Sequence, residues 1–210
     1  MVTGIWGRKI GMTQVFSDNG LQCKVTPVTV VDVNHWFVVA KRLQLRDGYD
    51  AVQIGWLRKK HHNSAFDAIW LKNLKRYFQM VREVKSTAAM VQNMQIGQPV
   101  DFYNDFTTGQ PVSVIGWSKG KGFAGTYKRH GFGGAAKSHG STMGRRPGSI
   151  GALRTSGRVI KGKRMAGHLG TDRVLVQGLD VVSIDPQART ITIKGSVPGS
   201  AGSFVFIRKA

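Results

Sequence analysis

One stretch of this chain, residues 118–173, most limits what the chain can fold into. Thirteen of its 56 residues are Lys or Arg and 14 are glycine, whereas one is acidic and seven are Leu, Ile, Val or Phe. Such a segment buries too little apolar surface to offset its loss of conformational entropy, so by itself we expect it to be disordered or extended. It requires a polyanion to fold against, because glycines let backbone amides approach phosphates and the cations displace condensed counterions.

The other 154 residues have a more ordinary composition and carry +8 of the net charge of +20 of the 210-residue chain. They are numerous enough to bury a core of their own. The charge of the whole chain indicates a nucleic-acid partner, with an anionic membrane surface as the weaker alternative.

The sequence contains no signal for export or for membrane insertion. The first residues lack the apolar region and cleavage site of a secretory leader, and no apolar run reaches transmembrane length. We therefore expect a cytoplasmic protein with no membrane partner. The one cysteine, Cys23, excludes an intrachain disulfide, and its apolar-alternating neighbours favour a packed small hydrophobe over a reactive thiol.

Short β-branched and aromatic runs separated by turn residues fill most of the chain outside the basic segment. Asn19-Gly20 and Asp47-Gly48 favour tight hairpins, because these residues tolerate positive φ. The pattern predicts a mainly β fold, an antiparallel barrel or sandwich, with the basic segment inserted between two strands. The runs span residues 1–16, 21–33, 35–45, 49–56, 99–106, 111–117, 174–185, 188–195 and 203–209.

Residues 59–95 follow a different pattern. Apolar and aromatic side chains recur at helical spacing from Phe66 to Phe78, and Ser64 with Asp67 resembles a capping box. We predict a helix that begins at about residue 65. Its end is open, because residues 77–84 fit an edge strand equally well.

A G-x-G-x-x-G pattern at residues 120–125 lacks the context of a dinucleotide site. Further glycines follow where a helix is needed, and no acid occurs before Asp172. The sequence also has no Walker A motif, no nucleophile elbow and no carboxylate pair in a glycine-flanked loop. We therefore expect no enzyme activity, no cofactor and no small-molecule substrate.

Histidines of the basic segment favour nucleic-acid contacts over metal binding. His130, His139 and His168 lie among cations that would repel a metal ion, and no cysteine accompanies them. Two further histidines, His61 and His62, follow two lysines and indicate a solvated basic surface.

The candidate contacts are the cations, histidines and glycines of the basic segment. Phe123, Tyr127 and Phe132 lie between them, and either stack on unpaired bases or form a small local cluster. The predicted side-chain contacts are Lys119, Lys121, Lys128, Arg129, His130, Lys137, His139, Arg145, Arg146, Arg154, Arg158, Lys161, Lys163, Arg164 and His168. The glycines predicted to allow close backbone approach are Gly120, Gly122, Gly125, Gly148 and Gly151.

Several ordered motifs closely resemble ribosomal protein three of the large subunit, in its bacterial form. They are GRKIGMT at residues 7–13, DGYDAVQ at 47–53, and, most specifically, SKGKGFAGTYKRHGF, SHGS, RRPGSIG and GRVIKGKRMAGHLG within 118–170. The resemblance spans nearly the whole chain and is weakest over residues 59–95, where it favours the strand near 77–84.

The resemblance implies a six-stranded Greek-key barrel domain, residues 1–117 with 173–210, and a loop at 118–172 that threads into large-subunit rRNA. It implies early action in subunit assembly, neighbouring ribosomal proteins as partners, and a tip near 147–157 that points toward the peptidyl-transferase centre. Bacterial members often carry Asn-Gln after the PGSIG-x motif, and in some this Gln is methylated. Leu153 and Arg154 stand there instead, so the resemblance does not extend to that modification.

The sequence therefore predicts a structural RNA-binding protein of the large ribosomal subunit. Two other classes remain alternatives. An RNA-modifying enzyme on a β-barrel core would need an acid–base or metal cluster, and a DNA-compacting or chaperone protein would bind duplex DNA as well as ribosomal RNA.

Overall fold

The chain divides into two compact units. The structure, a computed structural model, describes residues 3–18, 23–62, 64, 66–152 and 157–209, without the side chains of residues 17, 18 and 23. The first unit, the globular unit, comprises Met1–Trp117 and Arg173–Ala210, and the second, the extension, comprises Ser118–Asp172. The predicted Asn19-Gly20 turn and the predicted packing of Cys23 lie outside the described part of the chain.

Strands dominate the globular unit. The strands found in the described residues are β1 (Gly4–Asp18), β2 (Cys23–Asp32), β3 (Trp36–Arg42), β4 (Ala51–Leu57), β5 (Phe78–Lys85), β6 (Pro111–Trp117), β7 (Phe123–Ala124), β8 (Gly167–His168), β9 (Arg173–Asp185), β10 (Thr190–Lys194) and β11 (Phe204–Lys209). The α-helices are α1 (Gln44–Asp47), α2 (Ile69–Lys72), α3 (Leu74–Tyr77), α4 (Ala88–Asn93) and α5 (Thr126–His130).

Six strands close into an antiparallel barrel in the order β1, β11, β6, β9, β10, β2. Among the barrel strands, β6, β9 and β10 follow one another along the chain and pair side by side. Strand β11 then returns to lie beside β6, which is the Greek-key arrangement. The predicted mainly β fold with a six-stranded Greek-key barrel is confirmed. Trp117 at the end of β6 pairs with Arg173 at the start of β9, so the chain leaves and re-enters the barrel at adjacent positions.

A second, three-stranded sheet of order β3, β4, β5 lies beside the barrel. The amino-terminal runs therefore divide between two sheets, since β1 and β2 belong to the barrel and β3 and β4 do not. Asp47-Gly48 does not form a two-residue hairpin turn. Instead α1 ends at Asp47, and Gly48 takes the left-handed conformation at its C-cap, with φ 82°.

One hydrophobic core joins the barrel to the three-stranded sheet. Trp36 of β3 and Trp56 of β4 are each 1% exposed, and their ring centroids lie 5.3 Å apart. Both rings also meet Phe204 of barrel strand β11 edge-on, at 6.0 and 5.5 Å. Burial alternates along β10, where Ile191 and Ile193 point inward, as expected for strands with one face on a core.

The predicted helix from about residue 65 is wrong in its start and its continuity. The first helical residue is Ile69, and Asn73, with φ −132°, separates α2 from α3. Among the described residues no capping box joins Ser64 and Asp67: the Ser64 amide donates to the His61 carbonyl at 3.1 Å, and Asp67 accepts from the Ile69 amide at 2.9 Å. The strand alternative is confirmed by β5, which lies at the edge of the three-stranded sheet.

The run at residues 99–106 does not form a regular strand. It contains a 3-10 helix, Phe102–Asp105, and its apolar side chains at 100, 102, 103 and 106 are buried. The run contains only one β-branched residue, but it contains two Asp and one Asn. Asp and Asn side chains hydrogen-bond to the nearby backbone and favour turns. The other eight predicted runs each contain a strand.

Candidate nucleic-acid interface

The base of the extension is a narrow backbone ladder. The Ser118 amide donates to the Asp172 carbonyl at 2.9 Å, and the Lys121 amide donates to the Leu169 carbonyl at 2.9 Å. The Leu169 amide donates in return to Gly122, at 3.0 Å. The two-residue strands β7 and β8 continue this pairing antiparallel. The two ends of the extension are thereby held together.

Helix α5 is braced against the returning chain. Arg129 is partly buried, and its Nη1 donates to the Met165 carbonyl at 2.8 Å. His130 Nε2 lies 3.1 Å from the same carbonyl oxygen. These two predicted RNA contacts therefore already have partners within the extension. Their geometry indicates that both side chains help to shape it.

Most of the predicted cationic contacts are exposed. Those in this class are Lys119, Lys121, Lys128, Lys137, Arg145, Arg146, Arg158, Lys161, Lys163 and Arg164, together with His139 and His168. The ion pairs found between described side chains all lie within the globular unit. In the described part of the extension, therefore, no cation is neutralised by a carboxylate within 4.0 Å. Arg154 and the neighbouring Leu153 lie outside the described residues.

The aromatic side chains of the extension differ from one another. Phe123 is 80% exposed, so it belongs to no local cluster. Tyr127 lies under Arg145, whose guanidinium carbon is 5.3 Å from the ring centroid. The Phe132 ring is 6.1 Å from that of His130. Phe123 is thus the aromatic group most available for stacking on a base.

Four of the five predicted glycines have open space where a Cβ would lie. Gly122 and Gly148 have φ of 65° and 79°, a region that other L-residues avoid, and a Cβ on either would meet nothing within 4 Å. A Cβ on Gly125 or Gly151 would also meet nothing within 4 Å. Gly120 is tighter, since its Cβ would lie 2.9 Å from Thr171 Oγ1.

Neither a metal cluster nor a membrane helix is found in the part of the chain that the structure describes. No group of three or more His, Cys, Asp or Glu side chains in the described residues is arranged to hold a metal ion. No helix among the same residues is both long enough and apolar enough to cross a membrane.

Comparison with known proteins decides the family. The family model described as Ribosomal protein L3 matches residues 78–190. The chain belongs to the ribosomal protein L3 family. Its relatives in the L3 family include large ribosomal subunit protein uL3 of Pelotomaculum thermopropionicum, 42% identical over 100% of this chain and 98% of that protein. The uL3 proteins of Syntrophotalea carbinolica and Herpetosiphon aurantiacus are 42% and 43% identical over 100% of this chain and 99% and 97% of their own lengths.

The resemblance drawn from the sequence motifs is confirmed by this L3 family membership. The matched residues, 78–190, begin at β5 and include the whole extension. The match is therefore to the part of the L3 chain that carries the predicted contacts.

Three glycines that were not predicted from the sequence have close neighbours inside the extension of this L3 protein. Gly170 has φ 84°, and a Cβ there would collide with the Lys119 carbonyl oxygen. A Cβ on Gly134 would lie 2.7 Å from the Gly144 carbonyl oxygen, and one on Gly167 would lie 2.5 Å from Arg129 Nη1. In the sequence these residues look like any other glycine of the segment, so only the packing distinguishes them.

Proposed function

We propose that this protein is a structural constituent of the large ribosomal subunit that binds large-subunit rRNA directly through its extension. The observation that carries the proposal is the row of exposed cations in the extension with no carboxylate within reach. A surface of like charges repels itself in the free protein and becomes favourable when phosphates lie between the cations. Membership of the L3 family supports the ribosome as the place where this occurs.

The backbone of the extension, in addition to its side chains, is suited to contact phosphates. Glycines with positive φ at 122 and 148 present amide groups without a Cβ to hold a ligand away. Exposed Lys and Arg then release condensed counterions from the RNA, which makes binding steeply dependent on salt. Phosphate contacts of this kind set position along the RNA, and base specificity requires further groups such as the exposed Phe123.

The finer role follows from the family resemblance. The protein acts early in subunit assembly, when free rRNA provides the polyanion that orders the extension. The resemblance implies that the tip of the extension, near residues 147–157, reaches toward the peptidyl-transferase centre, where the protein takes no part in the chemistry; residues 153–156 of this range lie outside the described residues. Neighbouring large-subunit proteins are its other partners.

Deleting residues 120–170 tests the proposal. We expect the deleted protein to keep its folded barrel, observed as native tryptophan fluorescence, because all five tryptophans lie outside the deleted residues. It should lose most of its affinity for large-subunit rRNA. Unchanged rRNA affinity would exclude the extension as the binding element. Equal affinity of the intact protein for duplex DNA and rRNA would favour the DNA-compacting class, and turnover of an RNA substrate by the purified protein would favour the enzyme class.

A further inference from the structure

A second set of cations lies in the globular unit, in residues 58–76. This segment has six Lys or Arg and one acid, Asp67. The six cations are Arg58, Lys59, Lys60, Lys72, Lys75 and Arg76, and each is exposed. We call these six the insertion cluster.

The insertion cluster comes from two separate turns that the fold brings together. One is the 3-10 helix Lys59–His61, and the other is the pair of short helices α2 and α3. The Arg58 amide donates to the Tyr77 carbonyl at 2.9 Å, and Arg58 Nη2 donates to the Lys75 carbonyl, also at 2.9 Å. Both bonds hold the first turn against the end of the second.

Buried aromatic side chains fix the two turns to the globular unit. Trp70 is 5% exposed and stacks on Tyr77, with ring centroids 5.7 Å apart. The His61 ring lies 5.9 Å from Trp70 and 5.1 Å from Tyr77. Phe78, at 2% exposure, packs edge-on against Trp70. These aromatic side chains thus pack inward, and the cations of the segment are left on the outer surface.

The carboxylates near the insertion cluster are directed elsewhere. Asp67 accepts a hydrogen bond from the Ile69 amide and forms no ion pair among the described residues. Glu83 of the adjacent strand β5 pairs with Arg42 and accepts from Tyr49 at 2.8 Å. Cations elsewhere in the globular unit, such as Arg46 and Lys194, are paired with carboxylates. Among the described residues, the insertion cluster therefore differs from these cations in having no carboxylate counter-charge.

We propose that the insertion cluster is a second RNA-binding surface, which contacts backbone phosphates at a place distinct from the extension. The proposal rests on the proposed function, because it takes large-subunit rRNA to be the partner. Phosphate is the ligand whose charge complements six exposed cations on an ordered surface. The aromatic rings of the segment are used in packing, so the insertion cluster binds phosphates without reading bases.

The test uses paired substitutions in the full-length protein. Lys59→Gln with Lys60→Gln removes charge from the first turn, and Lys72→Gln with Lys75→Gln removes it from the second. Glutamine removes the charge but keeps an unbranched polar side chain of similar helix propensity, and Arg58 and Arg76 stay because they contact Lys75 and Tyr77. The matched control is Arg46→Gln with Lys194→Gln, which removes the same charge at cations that have carboxylate partners.

Binding to large-subunit rRNA is measured over a series of salt concentrations. The slope of log affinity against log salt is negative. We expect each double substitution in the insertion cluster to reduce the magnitude of this slope by about 1.4 to 1.8, because each phosphate that a cation neutralises contributes about 0.7 to 0.9. The control should leave the slope unchanged. Near-ultraviolet circular dichroism verifies that each variant keeps its aromatic packing.

The outcomes separate this proposal from the proposed function. Suppose that both insertion-cluster variants bind rRNA as the control does, while substitutions in the extension still reduce the salt dependence. The insertion cluster is then only a solvated surface, and this proposal fails while the proposed function stands. If no variant of either region changes the slope, both proposals fail. Weaker binding to poly-glutamate with unchanged binding to rRNA would also overturn the proposal, since the partner would then be an acidic protein.

Discussion

The two units of the molecule differ in whether their cations have carboxylate partners. In the globular unit Arg42 donates to Asp47 at 3.0 Å and to Glu83 at 3.3 Å, and Arg46 pairs with Asp47 at 3.1 Å. In the extension the single acid, Asp172, lies at the base, and the described cations beyond it have no carboxylate partner. The insertion cluster shows that this second behaviour also occurs on the globular unit.

Their apolar side chains differ in the same way. The globular unit buries Trp36, Trp56 and the inward faces of its strands, whereas the extension leaves Phe123 80% exposed and Ile160 66% exposed. Buried apolar area stabilises the first unit from within. The second buries less apolar area, so we expect its stability to depend on a partner that supplies negative charge.

The largest expected effect comes from the same substitution made in each unit. Phe78→Ala in the globular unit should lower the free energy of unfolding by about 3 to 5 kcal/mol, because Phe78 is 2% exposed in the hydrophobic cluster that it forms with Val39, Leu57 and Trp70. Phe123→Ala in the extension should change it by less than about 0.5 kcal/mol. Urea unfolding of both variants measures the difference, and similar decreases would mean that the extension has a core of its own.

The next effect concerns RNA rather than stability. Replacing Lys161, Lys163 and Arg164 together by Gln should lower the salt slope of rRNA binding by about 2 to 3, because three phosphates are no longer neutralised by the protein. The free energy of unfolding should stay within about 0.5 kcal/mol of the parent, since all three side chains are exposed. A large decrease in stability with an unchanged slope would reverse the assignment of the two units.

A smaller effect separates the base of the extension from its far part. Gly170 and Gly148 both have positive φ, but only a Cβ at 170 collides with backbone. Gly148→Ala should therefore cost about 1 to 2 kcal/mol of local strain, and Gly170→Ala clearly more. Hydrogen exchange of the Lys121 and Leu169 amides, which form the ladder at the base, should accelerate in Gly170→Ala and stay unchanged in Gly148→Ala.

The smallest effect is a pH dependence confined to the globular unit. Burial first, and then the charge of His62 stacked 3.6 Å away, lower the pKa of His35 below its ordinary value of about 6.5, with Arg189 adding to the effect and Asp32 opposing it. The unfolded chain therefore binds this proton more readily than the folded one. The contribution of His35 to the free energy of unfolding should be fully present above pH 6.5 and should decrease as the pH falls below that value.

His35→Asn is the variant that tests this pH dependence. Asn tolerates the left-handed backbone at this position, where φ is 59°, and removes the titrating group. The decrease in melting temperature between neutral and mildly acidic pH should become smaller in this variant. His139→Asn, at φ 60° in the extension and exposed, is the control and should keep the parent profile. An equally steep profile in both variants would show that His35 is not the sensing group.

Local composition was sufficient for several features of this protein. Eight of nine predicted runs contain strands, because alternation of β-branched residues is a local signal of a half-buried strand. The family motifs and the candidate cations were also readable directly. The strand predicted at residues 99–106 is wrong, because the spacing of the buried aromatic side chains fits a 3-10 helix as well as a strand. Arg129 and His130 were selected as RNA contacts, and only the structure shows that they contact Met165.

The sequence by itself determined the mainly β character, the family and the place of the cationic extension. Tertiary structure decided which strands share a sheet, placing β3 and β4 with β5 while β1 and β2 joined the barrel. It also brought the two turns of the insertion cluster together through Arg58, Lys75 and Tyr77. Composition and alternation are properties of neighbouring residues, and the sequence displays them. Strand pairing and surface charge clusters depend on contacts between distant residues, which exist only after the core has been packed.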